Sequence, residues 1–450
     1  MGDAAAGFVS QLLDRLGPER VLVDPASLER ASRDESDSRP QRPIAVIVPE
    51  LHEEVVEVVL AASRWSVPLT ARGGGSGLEG GAIPEPGGAV VDFSRMNRIL
   101  DVSIEDRFVL VEPGVVFARL NRFLAQHGLF FPSSPGGSGE VATIGGMVST
   151  NASGTLALMY GGTDAWVKTL RVVTGTGETL VLGHRVHKAS EGPDLVKLFV
   201  GAEGTLGLVT QVGLGLAPIP EAKERGGAVF RSDEAALFAG MQVASYVPSV
   251  AGLEYLDSRT VSLLRSVHDE TLPQGAILLF ETHGQGETAR TALEACRSVA
   301  EDGGGLWLDS VERTFQLRER ITATVREVQG AVIRTDSAVP RSKAAEFIEG
   351  VRRTVREAGL SAHCFGHVGV GIFHVLIPVA PGERDERTEV KYRLMELALS
   401  LGGAISGEHG IGRGAPSLFS RRRPQFSKVF RVLKAAMDPQ GLLNKGKLVP

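Results

Sequence analysis

The sequence predicts an α+β protein of more than one domain, and three observations carry that expectation. The chain has 450 residues, too many for one ordinary core at roughly 100–200 residues per domain. Short β-branched runs alternate with segments that are apolar at helical spacing. Glycine is in excess, 55 of 450 residues, against a usual share of about 7%, and much of it is clustered.

The elements follow in chain order. Ile44–Val48 reads as a strand ended by Pro49. Glu53–Trp65 reads as a helix, with Val55, Val58, Val59 and Ala62 on one face and two glutamates in its first turn. Val67–Ala71, Val90–Phe93 and Val109–Val111 read as strands, and Val115–Gln126 as a helix closed by His127-Gly128. Thr169–Val173 and Thr179–Leu182 read as a hairpin. Residues 221–360 mix amphipathic helices with a few strands such as Ala276–Phe280, and Phe426–Met437 reads as a short helix. The expected division is an N-terminal helical segment at 1–39, a domain at 40–217 ending at Pro218-Ile219-Pro220, a second domain at 218–410 and a returning segment at 411–450.

Composition narrows the function classes. Hydrophobic residues at 43% and charged residues at 22% give a globular balance, not a disordered one. A net charge of −5 argues against a nucleic-acid footprint. Two cysteines, Cys296 and Cys364, cannot supply four thiolates to an iron–sulfur cluster, and suit reduced thiols in the cytoplasm. The N-terminus reads neither as a signal peptide nor as a myristoylation site.

Gly75-Ser76-Gly77-Leu78-Glu79-Gly80 is a literal G-x-G-x-x-G. A dinucleotide-binding strand–loop–helix needs a helix after it, and Pro84 and Pro86 stand where its first turns would lie. A nest of backbone N–H groups around a diphosphate fits the run without a helix. Taken alone, an ordinary glycine-rich surface loop fits it as well.

Arg72-Gly73-Gly74-Gly75-Ser76-Gly77-Leu78-Glu79-Gly80-Gly81 resembles the diphosphate loop of the flavin-linked oxidases related to vanillyl-alcohol oxidase, those with a PCMH-type FAD domain. The resemblance continues through Ser94–Ile99, Val111–Val115, Ala142–Gly146, Thr150–Gly154, Phe199–Gly207, Ile405–Gly412 and Asp438–Asn444, in order over about residues 40 to 450. It points to the branch of D-lactate dehydrogenases, glycolate oxidase flavoprotein subunits and D-2-hydroxyglutarate dehydrogenase. It implies a FAD domain of two α/β subdomains and an α+β substrate domain with an antiparallel sheet. FAD contacts are then expected from Arg72, Gly73, Gly74, Gly75, Ser76, Gly77, Leu78, Pro135, Gly136, Thr143, Gly145, Gly146, Ser149, Asn151, Ser153, Gly154, Glu203, Gly204, Gly207, Val209 and Asn444. Some relatives attach FAD through a histidine in the first glycine loop. This loop has none, so FAD is expected to be non-covalent.

His367 and His374 are seven residues apart, which in a regular strand places them on opposite faces. Gly369 and Gly371 between them allow a bend. The resemblance implies that His367, His374 and Glu408 bind a divalent metal and that His409 is a general base. Two imidazoles and a carboxylate suit Zn²⁺ first, and also Mn²⁺ or Fe²⁺. Val370, Ile372 and Leu376 depart from the family pattern, which is polar at those places. That departure implies weakened support for the metal, a more apolar pocket, or no metal. Arg318 and Thr322 resemble residues that hold a substrate carboxylate, and Arg334 occupies a place where relatives often have Lys.

The implied reaction is oxidation of a D-2-hydroxy acid to the 2-oxo acid, with hydride to flavin N5. Electrons then leave to oxygen, a quinone, an electron-transfer flavoprotein or an iron–sulfur partner. A homodimer or a hetero-oligomer suits this scheme, as does attachment to the inner face of a membrane through a partner. Two other readings stand beside it: a non-catalytic flavin subunit of a glycolate oxidase-like complex, and a flavin-dependent non-redox transferase.

Overall fold

In the computed structural model, residues 2–379 and 384–449 are described, with the side chains of 384–387 left aside. The chain forms two compact units. One comprises Met1–Ala152, Gly162–Ile219 and His409–Pro450, and the other Ser153–Gly161 and Pro220–Glu408. The chain therefore crosses from one unit to the other at the Glu408–His409 peptide bond.

The first unit holds two main sheets. In the smaller, strands run in the order Val21–Leu22, Val46–Ile47, Ala89–Asp92, Leu69–Arg72. The last three are mutually parallel and the first pairs antiparallel. Helix His52–Trp65 buries Val55, Val58, Val59 and Ala62, the stripe its spacing predicts, against a core that includes Phe8, Leu12, Ile47 and Leu69. Glu54 turns back to accept from the backbone N–H groups of Glu50 and Leu51, closing the N-terminus of that helix. The larger sheet is antiparallel, in the order Ile99–Ser103, Phe108–Val111, Leu208–Gly215, Val167–Val173, Thr179–Gly183. Its last two strands are the hairpin read from the sequence. The helix expected over 115–126 is Phe117–Leu124, tightened into a 3₁₀ turn at Ala125–His127.

The end of the chain completes this unit. Leu69 N–H donates to the Leu442 carbonyl at 2.9 Å and Asn444 N–H to the Leu69 carbonyl at 2.8 Å. Asp438 receives the N–H groups of Leu442 and Leu443 at 3.0 and 2.8 Å, which fixes the turn that delivers them.

The second unit is built on a seven-stranded antiparallel sheet. Its order is Leu306–Trp307, Ala222–Phe230, Ala276–Gly284, Val250–Leu256, His363–Gly366, Ile372–Pro378, Val332–Ala338. Its strands Ala276–Gly284, Val250–Leu256 and Ile372–Pro378 are buried almost throughout and read as largely apolar runs. One face, with Phe230, Tyr255, Phe280, Cys364 and Phe373, packs on helices that include Asp233–Tyr246, Thr288–Asp302 and Ala344–Glu357. The other, with Leu256, Ile277, Leu279, Phe365 and Leu376, packs on Ser258–Val267, Glu312–Glu319 and Ile321–Gln329. Both cysteines are buried and unpaired, and burial pushes the Cys296 thiol up to about 12.

Candidate active site

The two histidines meet because the strand leading to the first one stops just before it. His363–Gly366 ends at a glycine whose Cβ would strike the Ile372 carbonyl oxygen at 2.2 Å. Val368–Val370 makes one 3₁₀ turn, Gly371 takes φ +76°, and Ile372–Pro378 runs back antiparallel. The seven-residue separation is thus spent on a hairpin, and the His367 and His374 rings lie 5.3 Å apart, nearly perpendicular.

Glu408 reaches them through Asp336. The Asp336 carboxylate accepts from the Ser406 hydroxyl at 3.1 Å and from the Gly407 and Glu408 N–H groups at 3.0 and 2.8 Å. That turn sets Oε1 of Glu408 3.1 Å from Nε2 of His367 and 3.4 Å from Nε2 of His374. Ser153, expected among the FAD contacts, donates to Oε2 of Glu408 at 2.8 Å.

Each histidine also has a carboxylate behind it. Nδ1 of His367 lies 2.6 Å from Oε1 of Glu254, and Nδ1 of His374 lies 3.3 Å from Oδ1 of Asp336. Burial disfavours imidazolium, but Glu254 and Glu408 outweigh it and raise His367 to about 10. His374 is raised by Asp336 and Glu408 against the same burial penalty. Burial alone would raise the Glu408 carboxyl, yet the two imidazoles hold it well below its ordinary value.

Val370, Ile372 and Leu376 give the histidines no polar support. It comes instead from Glu254 and Asp336, on two other strands. Leu376 is fully buried in the apolar layer with Phe365 and Val332. Ile372 lies under the Glu408 turn, where a Cβ on Gly407 would meet its Cγ2 at 2.8 Å.

Arg318 sits at the end of Glu312–Glu319, buried, with Nε donating to Oε2 of Glu254 at 2.6 Å. Its guanidinium therefore clamps the carboxylate that holds His367. Thr322 lies one turn on, in helix Ile321–Gln329. Arg334 is buried in its strand, two residues from Asp336 and so on the same face, with Leu376 as its cross-strand partner.

Glu254 escaped the sequence reading, although a signal existed. Val250–Leu256 is buried at every position, and Glu254 is its one charged residue. A lone carboxylate in such a strand needs a cationic partner.

In the first unit the glycine run folds as expected, a strand followed by turns with no helix. Its glycines divide into two kinds. At Gly73 a Cβ would strike Oγ1 of Thr143 at 2.2 Å, at Gly74 the Val141 carbonyl oxygen at 1.9 Å, at Gly145 the Pro113 side chain at 2.5 Å, and at Gly207 the Val172 side chain at 2.4 Å. Those four are demanded by the protein's own packing. At Gly77 a Cβ would meet only Oδ2 of Asp34, at 3.7 Å, at Gly136 nothing within 4 Å, and at Gly146 only the Thr143 hydroxyl. Gly77 and Gly136 leave open space beside the backbone, which a flat or phosphorylated ligand can use, while Gly146 gives its N–H to the Thr143 hydroxyl at 3.2 Å. Gly75 has φ +70° and Arg72 donates to the Arg33 carbonyl at 2.7 Å. Ser76 and Leu78 lie in the same loop, and Pro135 opens the turn bearing Gly136.

The other expected FAD residues hold this framework. Thr143 caps helix Ile144–Thr150, whose Ser149 donates back to the Gly145 carbonyl. Asn151 leaves that helix at φ +53° and accepts from Asp164 N–H. Gly154 has φ +108° in the other unit, and Val209 lies in strand Leu208–Gly215 opposite Val172. Glu203 is buried and accepts the N–H groups of Ile411 and Gly412, each at 2.7 Å; burial lifts its carboxyl to about 7. Asn444 bridges the Glu203 carbonyl and Ala71 N–H, beside Gly204 at φ +68°. Lys447, unremarked in the sequence, is buried nearby and donates to the Gly81 carbonyl at 2.8 Å. His409 is partly buried, just before Gly410, whose φ is +82°.

The FAD binding domain model matches residues 43–183, and the model for the C-terminal domain of FAD-linked oxidases matches residues 219–448. The chain belongs to the FAD-linked oxidase family. This FAD-linked oxidase is 32% identical to glycolate oxidase subunit GlcD of Bacillus subtilis over 97% of its length and 96% of that protein's. It is 32% identical to the probable mitochondrial D-lactate dehydrogenase of Danio rerio, covering 99% and 92% of the two chains. The D-lactate dehydrogenase of Archaeoglobus fulgidus is also 32% identical, over 90% and 91%. Among solved structures it superimposes on p-cresol methylhydroxylase with a TM-score of 0.86, at 16% identity over 100% and 98% of the chains. It matches 4-ethylphenol oxidase of Gulosibacter chungangensis with a TM-score of 0.81, at 20% identity over 100% and 98%. At those identities the likeness is one of fold. The protein is an FAD-linked oxidoreductase of the D-lactate dehydrogenase and glycolate oxidase type.

Proposed function

We propose that this enzyme oxidises a D-2-hydroxy monocarboxylate to the 2-oxo acid on non-covalently bound FAD. The observation that carries the reading is the convergence of Nε2 of His367, Nε2 of His374 and Oε1 of Glu408, each histidine backed at Nδ1 by a carboxylate. Three donors so arranged fit a divalent metal with room for a further ligand, Zn²⁺ foremost. The open glycine faces at Gly77 and Gly136 fit the FAD diphosphate and ring.

When bound, FAD supplies the hydride acceptor and the metal supplies Lewis acidity toward the substrate hydroxyl. The chain's own groups do the rest. His367, His374 and Glu408 hold the metal, while Glu254 and Asp336 fix the two imidazoles with Nε2 forward. Arg318, Thr322 and Arg334 hold the substrate carboxylate, Arg318 also clamping Glu254. His409 takes the hydroxyl proton as the Cα–H bond breaks.

Charge supports a monocarboxylate. With a divalent ion bound, its two charges together with Arg318 and Arg334 would stand against the carboxylates of Glu254, Glu408 and Asp336, an excess of one positive charge that one substrate carboxylate matches. The tail pocket is taken to be apolar, on Ile372 and Val370; Leu376 belongs to the core and plays no part.

The two electrons taken from the substrate would leave to an acceptor outside the chain. The test is anaerobic addition of D- and L-2-hydroxy acids, from glycolate to 2-hydroxyoctanoate with D-malate and D-2-hydroxyglutarate included, followed by loss of flavin absorbance. D-monocarboxylates should reduce the flavin fastest. A dicarboxylate in first place, or no reduction by any member, overturns the reading. Acid precipitation should leave all flavin colour in the supernatant.

A further inference from the structure

We infer that the C-terminal helical hairpin of the first unit is a docking face for an anionic lipid surface. Helices Pro416–Arg422 and Pro424–Met437 are joined by Arg423. Between Arg413 and Asp438 the sequence has six cations and no acid, in a protein whose net charge is −5. Lys434 turns inward to Asp438 and the Leu443 carbonyl. Arg421, Lys428 and Arg431 are exposed.

The second helix also exposes an apolar stripe. Phe426, Val429 and Val432 are 46%, 61% and 67% exposed. At about 100° per residue they span roughly 120° of the helix surface, with Phe426 next to buried Phe430 and Val432 farthest from it. Lys428 lies beside Val432, at the edge of the stripe away from Phe430, with Arg431 beyond it. Phe426 is held rigidly, stacked on Phe430 and edge-on to Phe419, so the stripe is presented and not folded away. Single exposed hydrophobes need no explanation, but a row of three beside exposed cations is the pattern of a helix lying in a headgroup layer. Anionic headgroups complement the charge and the outer acyl region accepts the stripe. No helix among the described residues is long and apolar enough to cross a membrane, so the attachment is peripheral.

The experiment is co-sedimentation of the FAD-loaded full chain with phosphatidylcholine vesicles, with and without 30% phosphatidylglycerol, at about 0.1 and 0.5 M salt. Two variants accompany it: Arg421→Glu with Lys428→Glu, and Val429→Ser with Val432→Ser. Binding to the phosphatidylglycerol vesicles alone is expected, falling at high salt. The charge variant should weaken it by at least tenfold, at about fivefold per charge, and the serine variant by several-fold. Flavin reduction in solution should be unchanged in both. Failure to sediment overturns the inference, as does sedimentation that the variants leave intact. Capture of an acidic protein through this face without vesicle binding also overturns it.

Discussion

Nδ1 of His367 lies 2.6 Å from Oε1 of Glu254, whose other oxygen takes the Arg318 guanidinium. A carboxylate in that position can only accept, so Nδ1 carries a proton and Nε2 is directed at Glu408. Orientation of this proposed metal ligand thus depends on a residue of the neighbouring strand, Val250–Leu256, which pairs with His363–Gly366. Replacing Glu254 by Gln keeps an acceptor but removes the charge. We expect metal affinity, measured by chelator competition, to drop about 10–100-fold. Glu254→Ala should do more damage, since it strands a buried arginine. Unchanged affinity in Glu254→Gln would remove Glu254 from the metal's support.

His409→Ala should keep FAD and lose turnover. The backbone that follows it is held by Glu203 through Ile411 and Gly412. Loss of a general base costs roughly 10²–10⁴-fold. Stopped-flow reduction by the best hydroxy acid is the check, with flavin content showing that the cofactor is retained.

Two alanine substitutions should separate the glycines. Gly145→Ala drives a Cβ into Pro113 and should lower the melting temperature of the flavin-free protein. Gly77→Ala finds space and should leave that temperature alone while weakening FAD binding by tenfold or more, as read by fluorescence titration. Equal effects on both quantities in both variants would mean that the open faces have nothing to do with FAD.

His363 supplies a pH signature for stability. It is buried, with Nε2 3.0 Å from Oε1 of Gln329. Burial, aided by Arg259, lowers its pKa to about 4, below the ordinary 6.5 of the unfolded chain. Between those values the unfolded chain binds the extra proton, so stability rises with pH across this window and is lost as pH falls from 6.5 toward 4. The loss is at most about 3 kcal/mol. Denaturant titrations at pH 7 and pH 5 should show it, and His363→Gln should flatten that difference.

Much of this was legible in the residues. The periodicity of Glu53–Trp65 and the hairpin around 174–177 are local properties, and local properties survive in sequence. The prolines after the first glycine run were enough to exclude a helix there. The meeting of His367 and His374 could be foreseen only as permitted, because glycines allow a bend without dictating its hand. Glu254 and Asp336 were out of reach for a different reason. Their roles depend on strand order, which brings residues 254, 336, 367 and 408 together across more than 150 positions of chain. Arg318 shows the converse: a guanidinium assigned to substrate by motif turns out to have a protein carboxylate as its neighbour.

The return of the chain end to Leu69 bears on how the protein is made. Strand Leu69–Arg72 emerges from the ribosome early, but its partner at Leu442–Asn444 is synthesised about 370 residues later. At the usual elongation speeds of about 5–20 residues per second, that is a wait of roughly 20–75 s. Over this interval the flavin unit has an open strand edge, able to pair with a neighbouring nascent chain. The long inserted stretch 220–408 emerges whole in the meantime. A premature stop anywhere in that stretch would therefore release a flavin unit that can never close its sheet, and such fragments should accumulate as aggregates rather than as soluble yellow protein.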